Sequence, residues 1–176
     1  DLDAALPVLL NAIVQNAGQT CSAGARVLVE AAVQEEVVAR LVEGFRGLRA
    51  GPPGLDLNLG PLISARQKTR VERMTAEAEA AGLPLLATGE IAPEAPEGGF
   101  YVAPRLYGPV PAEAPLAREE VFGPVLALTP FADEAEAVAL ANGTDYGLVA
   151  GVWSRDGARA LRVARRIRAG QVFVNA

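Results

Sequence analysis

Cys21, the single cysteine of this 176-residue chain, is the side chain best suited to covalent chemistry. It lies in the polar segment Gly18-Gln19-Thr20-Cys21-Ser22, between a stretch with helical periodicity and a short apolar run. A thiolate is a strong nucleophile, and oriented backbone N–H groups or nearby cations activate it. A free cysteine more often fills a protein core as a small, inert hydrophobe. The residue type alone leaves both interpretations open and favours the inert one.

A second candidate is the pair of carboxylates in Glu119-Glu120-Val121-Phe122-Gly123-Pro124. Adjacent side chains of an extended chain point in opposite directions, so the two glutamates are no obvious general acid and base pair. One of them could accept hydrogen bonds from the hydroxyls of a ligand, with Phe122 packed beside a ring. The alternative is a solvated, charged loop that precedes a Gly-Pro turn.

The composition excludes several other kinds of site. Because the chain has no histidine, it contains no Ser-His-Asp triad, no Cys-His dyad and no histidine-bound metal. One cysteine can form neither an internal disulfide nor a thiolate zinc cluster, so we predict no metal site. The formal net charge of −5 disfavours nucleic acid and anionic membranes as partners. Neither a G-x-G-x-x-G fingerprint nor a P-loop occurs.

Four arginines near the C-terminus recur at helical spacing, opposite an apolar face. They are Arg155, Arg159, Arg162 and Arg166. A basic stripe can bind phosphate backbones, but no aromatic residue interleaves with this one. We therefore expect a helix surface that faces solvent or another subunit.

The elements that must position these residues alternate along the chain. Apolar periodicity and capping residues predict five helices. They run from about Asp3 to Asn16, Gln34 to Leu48, Ser64 to Ala81, Asp133 to Leu140 and Asp156 to Ile167. Short apolar runs predict strands at 26–30, 83–87, 125–128, 148–153 and 171–174.

Two further segments are less regular. Pro104 interrupts Tyr101–Tyr107, which predicts an edge strand, and the Pro/Gly/Glu-rich stretch 91–99 predicts an exposed loop. Strands that alternate with helices predict an α/β fold with a mostly parallel sheet between two helical layers. A hydrophobic content of 51% and this length are typical of one globular domain.

Together the motifs resemble the catalytic domain of the aldehyde dehydrogenase superfamily, in one order along essentially the whole chain. The residues Asn16 to Gly24 are similar to the family's cysteine active-site motif, and Glu119 to Val125, EEVFGPV, to its cofactor-contacting motif. Leu59 to Ile63 resembles the loop between them. The segments Asn142 to Leu148 and Val172 to Asn175 resemble the closing strands. The co-occurrence of these motifs favours functional roles for Cys21 and Glu120.

The resemblance implies a role for each candidate residue. Cys21 would be the nucleophile that attacks an aldehyde, and its backbone N–H would form half of an oxyanion hole. Glu120 would bind the hydroxyls of the nicotinamide ribose of NAD or NADP, and Phe122 would pack beside the nicotinamide. Thr20 and Ser22 would face a small aldehyde substrate. The product would be a carboxylic acid, released by hydrolysis of a thioester.

The sequence also departs from the family pattern. It lacks the Glu-Leu-Gly-Gly motif of the general base, the oxyanion-hole asparagine, the dinucleotide-binding domain and the oligomerisation segment. We therefore expect residues 1–176 to be a partial catalytic domain, inactive alone, of a cytoplasmic homo-oligomeric enzyme. Two alternatives remain open. One is a CoA-acylating or acyl-phosphate-reducing member of the superfamily, and the other a non-catalytic assembly domain with a buried cysteine.

Overall fold

A computed structural model describes all 176 residues as an α/β fold. Six helices are present: α1 (Leu2–Val14), α2 (Gln34–Arg46), α3 (Ala65–Ala80), α4 (Pro115–Arg118), α5 (Glu134–Ala141) and α6 (Gly157–Ala164). Eight strands are present: β1 (Arg26–Glu30), β2 (Arg49–Ala50), β3 (Leu85–Thr88), β4 (Glu90–Ile91), β5 (Arg105–Tyr107), β6 (Val125–Phe131), β7 (Val149–Val152) and β8 (Gln171–Val174). None of the helices has the length and apolar character needed to traverse a lipid bilayer.

The main sheet has the strand order β1-β6-β5-β3. Strand β6 is parallel to both of its neighbours, and only the β3–β5 pair is antiparallel. The first five residues of β6 are all buried. Because successive residues point to opposite faces, both faces of the sheet are covered there, as the predicted three-layer fold requires.

Two parallel pairs of strands lie outside this sheet, β2 with β4 and β7 with β8. The β2–β4 pair corrects the expectation that residue 91 begins an exposed loop, because the Ala92 N–H donates to the Ala50 carbonyl and anchors that end. A strand of two residues leaves no periodic signal in the sequence.

The prediction of an edge strand over Tyr101–Tyr107 was wrong. Only Arg105–Tyr107 is extended and paired, and this strand lies inside the sheet between β6 and β3. Pro104 immediately precedes it, so the proline removes no hydrogen bond from the ladder. The edge strand next to it is β3, which the sequence places correctly to within two residues.

Side chains cap the helices that position the site. Ser64 Oγ accepts a hydrogen bond from the Gln67 N–H at 3.2 Å and begins α3. Asp133 accepts from the Glu136 N–H at 2.9 Å and begins α5. Both residues were predicted as N-caps, because a short polar side chain can satisfy a free N–H of the first turn.

Candidate functional site

The turn that carries Cys21 begins with three successive residues in the left-handed region. Helix α1 ends at Val14, and Asn16, Ala17 and Gly18 then have φ angles of 51°, 54° and 72°. The side chains of Asn16 and Gln19 hold the turn reciprocally. Asn16 Nδ2 donates to the Gln19 carbonyl at 3.0 Å, and Gln19 Nε2 donates to the Asn16 carbonyl at 3.1 Å. The route to the cysteine is therefore fixed by local hydrogen bonds.

Cys21 itself is exposed and not buried in the core of this chain. A hydrogen bond of 2.9 Å from the Ala23 N–H to the Thr20 carbonyl closes the turn around it. The N–H of Cys21 donates no hydrogen bond within the chain. Thr20 is half-buried and Ser22 is exposed on either side. The thiol and its own N–H are both open to a reacting group.

The cysteine turn touches the 119–124 segment backbone to backbone. A Cβ placed on Gly18 would lie 2.1 Å from the carbonyl oxygen of Gly123. On the other side, a Cβ on Gly123 would lie 2.5 Å from Cγ2 of Val71, a fully buried residue of α3. Gly123 is thus held between the cysteine turn and α3, and only glycine fits at either contact.

Helix α3 also holds the 119–124 segment by its carbonyl oxygens. Gln67 Nε2 donates to the carbonyls of Val121 at 3.1 Å and Phe122 at 2.8 Å. One turn further along, an Arg70 Nη2–H donates to the Glu120 carbonyl at 2.7 Å. These side chains satisfy the carbonyls of three residues that lie outside every strand.

Two other motifs of the sequence reach the same place. The Glu120 N–H donates to the hydroxyl oxygen of Tyr146 at 3.2 Å, which ties in the 142–148 segment. The Ile63 N–H donates to Oε1 of Gln19 at 2.8 Å, which ties the Leu59–Ile63 loop to the cysteine turn. Four motifs that are far apart in the chain therefore meet around Cys21 and Glu120.

The two adjacent glutamates have different surroundings. Glu120 is half-buried, and its carboxylate makes no hydrogen bond or ion pair within the chain. Glu119 is exposed and borders an open depression of about 440 Å³ that does not include Cys21. Phe122 is half-buried with φ at 57°. A free carboxylate acceptor and an apolar ring two residues apart suit a ligand that carries hydroxyls beside a flat ring, so they fit a nicotinamide ribose.

The structure brings together Thr20, Cys21 and Ser22 on one turn and Glu120 and Phe122 on the segment packed against it. Sequence reasoning missed Gln67, Arg70 and Tyr146. Ser64-x-x-Gln67 has the spacing of a capping box, which was a visible signal, although it points to a local partner. At Gly18 the backbone of this turn approaches the Gly123 carbonyl.

The arginine-rich face of α6 is largely engaged by acidic residues. Arg162 donates to both carboxylate oxygens of Glu134, at 2.8 and 2.6 Å, and Arg166 lies 3.8 Å from the same carboxylate. Arg159 lies 3.9 Å from Glu30. No group of three or more cysteine, aspartate or glutamate side chains is placed to hold a metal ion.

Comparison with known proteins gives one consistent family. Residues 1–176 match the model described as the aldehyde dehydrogenase family. The chain is 40% identical to betaine aldehyde dehydrogenase of Bacillus subtilis, over 99% of its own length and 36% of that protein. It therefore spans about a third of the length of this curated relative.

Two solved structures have the same fold over nearly the whole chain. A crystal structure assigned as an aldehyde dehydrogenase of Burkholderia cenocepacia superposes with a TM-score of 0.98 at 62% identity, covering 99% of this chain and 37% of that one. The betaine aldehyde dehydrogenase of Staphylococcus aureus, solved in complex with NAD⁺, superposes with a TM-score of 0.94 at 30% identity. That match covers 99% of this chain and 35% of the other.

Proposed function

Because the chain belongs to the aldehyde dehydrogenase family along its whole length, we propose that it is the cysteine-bearing catalytic part of an NAD(P)-dependent enzyme. The reaction is the oxidation of an aldehyde to a carboxylic acid. The observation that carries this proposal is the packing of the exposed Cys21 turn against the segment that contains Glu120, at the Gly18–Gly123 contact. This contact supports the proposal because it joins the Cys21 turn to the segment with Glu120 and Phe122.

Cys21 is the nucleophile in this proposal. Its thiolate forms a bond to the aldehyde carbon, and the carbonyl oxygen becomes the oxyanion of a thiohemiacetal. The uncommitted Cys21 N–H donates a hydrogen bond to that oxyanion as its charge develops. Loss of hydride from the thiohemiacetal carbon leaves a thioester on Cys21, and water then hydrolyses the thioester to the acid and the free thiol.

Glu120 and Phe122 hold the cofactor in this proposal. The free Glu120 carboxylate would accept hydrogen bonds from the ribose hydroxyls of NAD(P)⁺, and the Phe122 ring would pack beside its nicotinamide. The bound nicotinamide supplies the acceptor for the hydride. Gln67 and Arg70 donate to backbone carbonyls of this segment and Tyr146 accepts from a backbone N–H, so the side chains of Glu120 and Phe122 stay free for these contacts.

Thr20 and Ser22 flank the nucleophile and face the aldehyde. Betaine aldehyde, after which the Bacillus subtilis relative is named, is the first substrate to test. The residues that select the aldehyde also include others outside this turn, since selectivity in a pocket is set by all of its walls.

The remaining parts of the enzyme are proposed from the family. Residues 1–176 are a partial catalytic domain, and the general base, most of the NAD(P) site and the oligomerisation segment of a homo-oligomer belong to other residues. The 176 residues contain no Glu-Leu-Gly-Gly motif, so the chain by itself does not complete the reaction. A cytoplasmic location suits its free, exposed thiol.

A chimera tests this proposal. The 176 residues replace the matching segment of the Bacillus subtilis relative, and NAD(P)H formation from betaine aldehyde is followed by absorbance, with the isolated chain assayed in parallel. We expect turnover by the folded chimera and none by the isolated chain. A chimera that folds and binds NAD(P)⁺ but forms no NAD(P)H, or a 176-residue chain that turns over alone, would contradict the proposal.

A further inference from the structure

Gln67 occupies the position of a capping-box residue but does not act as one. In Ser64-x-x-Gln67 the Ser64 hydroxyl accepts the Gln67 N–H, as the motif requires. The Gln67 side chain would complete the motif by accepting the Ser64 N–H, and this bond is absent. Its amide group instead donates to two carbonyls that are 54 and 55 residues away in the chain.

The two acceptors are the carbonyls of Val121 and Phe122, and they meet the same nitrogen because Phe122 leaves the extended conformation. Carbonyls of successive residues in an extended chain point to opposite sides. With φ at 57°, Phe122 turns the backbone so that both oxygens reach Gln67 Nε2. A left-handed conformation is costly for a residue with a Cβ and persists only where the surroundings impose it.

We propose that Gln67 is a positioning residue for Phe122, a proposal that rests on the cofactor role of Phe122 given above. Its carboxamide holds the Phe122 backbone left-handed by donating to both flanking carbonyls, and so sets the direction of the ring. On the same face of α3, Arg70 donates to the Glu120 carbonyl and Val71 packs against Gly123. The two hydrogen bonds from Gln67 therefore lie in the middle of the contact between α3 and this segment. The requirement at position 67 is an N–H donor and not only a side chain of that size.

Fluorine NMR tests this directly in the 176-residue chain, without cofactor or aldehyde. The five phenylalanines are replaced by 3-fluorophenylalanine, and Phe122→Leu assigns the signal of residue 122. Gln67→Met removes both donors at similar length, Gln67→Glu keeps the shape but offers only acceptors, and Gln67→Lys restores a donor. Arg66→Met is the matched control, because Arg66 is exposed on the same turn and makes no hydrogen bond or ion pair.

We expect the Phe122 signal in Gln67→Met and Gln67→Glu to move at least half-way to its position in the urea-unfolded chain, with the other four signals in place. In Gln67→Lys and Arg66→Met it stays near the wild-type position. An unmoved signal in Gln67→Glu, or one that moves as far in Gln67→Lys as in Gln67→Met, overturns the proposal. If Gln67→Met does not fold, Gln67→Glu carries the test.

This result is independent of the proposed function. An inactive chimera would leave the Gln67 result standing, and an unmoved Phe122 signal would leave the chemistry of Cys21 untouched.

Discussion

Gly18 and Gly123 lie backbone against backbone, so close that a Cβ on Gly18 would stand 2.1 Å from the Gly123 carbonyl oxygen. This contact joins the turn that carries Cys21 to the segment that carries Glu120 and Phe122, although the two glycines are far apart in the chain. On the other side of Gly123, Val71 of α3 packs against it. The Cys21 turn and the 119–124 segment can therefore come this close only because both contact positions are glycine.

Gly18→Ala should destabilise the chain by about 2 to 5 kcal/mol, since the new methyl group meets backbone and φ is 72°. Gly54→Ala is the matched control, because a Cβ there meets nothing within 4 Å, and it should change stability by no more than about 1 kcal/mol. Urea unfolding followed by circular dichroism measures both. Equal stabilities of the two variants would show that the close contact does not exist.

The stability that is lost in Gly123→Ala should be restored in part by adding Val71→Ala. The first change forces a Cβ against Val71 Cγ2, and the second removes that methyl group. The loss of stability in the double variant should therefore be smaller, by about 1 kcal/mol or more, than the sum of the losses in the two single variants. A double-mutant cycle from urea unfolding gives the coupling. Additive effects would mean that Val71 does not press on Gly123.

The elements around the site were largely predictable, because each has a local signal. Ser64 and Asp133 cap helices where the sequence suggests, and the strand at Arg26–Glu30 follows from its apolar run. The interior position of Arg105–Tyr107 was not predictable, since an adjacent proline looks the same before an interior strand as within an edge strand.

The contacts that assemble the site could not be predicted from spacing. Gln67 and Arg70 look like ordinary residues of a helical surface, and their acceptors are carbonyl oxygens, which every residue has. Tyr146 reaches the Glu120 N–H across 26 residues by its hydroxyl alone. The roles of Cys21, Glu120 and Phe122 in catalysis stay predictions that rest on the family resemblance and on their surroundings.

Glu120→Gln in the chimera should lower kcat/KM for NAD(P)⁺ about tenfold or more, because a neutral amide accepts ribose hydrogen bonds less strongly than a carboxylate. Glu119→Gln should change it by less than about twofold, since Glu119 faces the open depression beside Asp145. Steady-state kinetics with varied NAD(P)⁺ separate the two. A larger effect from Glu119→Gln would reverse the assignment of the pair.

The Glu134–Arg162 pair should make stability depend on pH. The Arg162 guanidinium donates to the Glu134 carboxylate and holds the pKa of Glu134 below its ordinary value of 4.5. A depressed pKa stabilises the folded chain above the unfolded value, and this contribution disappears as the pH falls through the folded value. The difference in urea midpoint between wild type and Glu134→Gln should therefore be full at neutral pH and shrink below pH 4.5.

Two controls isolate that pair. Glu43→Gln changes an exposed glutamate without an ion pair and should show no comparable pH dependence. In an Arg162→Met background, Glu134→Gln should also have little effect on the urea midpoint at any pH. A pH dependence that survives the loss of Arg162 would assign it to another group.

Cys21 is the nucleophile of the proposed reaction, and Cys21→Ser in the chimera tests this role most directly. A serine hydroxyl is far less ionised than a thiol, so the rate of NAD(P)H formation from betaine aldehyde should fall by at least about a thousandfold, while NAD(P)⁺ binding is retained. The side chain of Thr69 is exposed and makes no hydrogen bond, so Thr69→Ala is a matched control that should keep the parent rate. A Cys21→Ser chimera that keeps that rate would show that Cys21 is not the nucleophile.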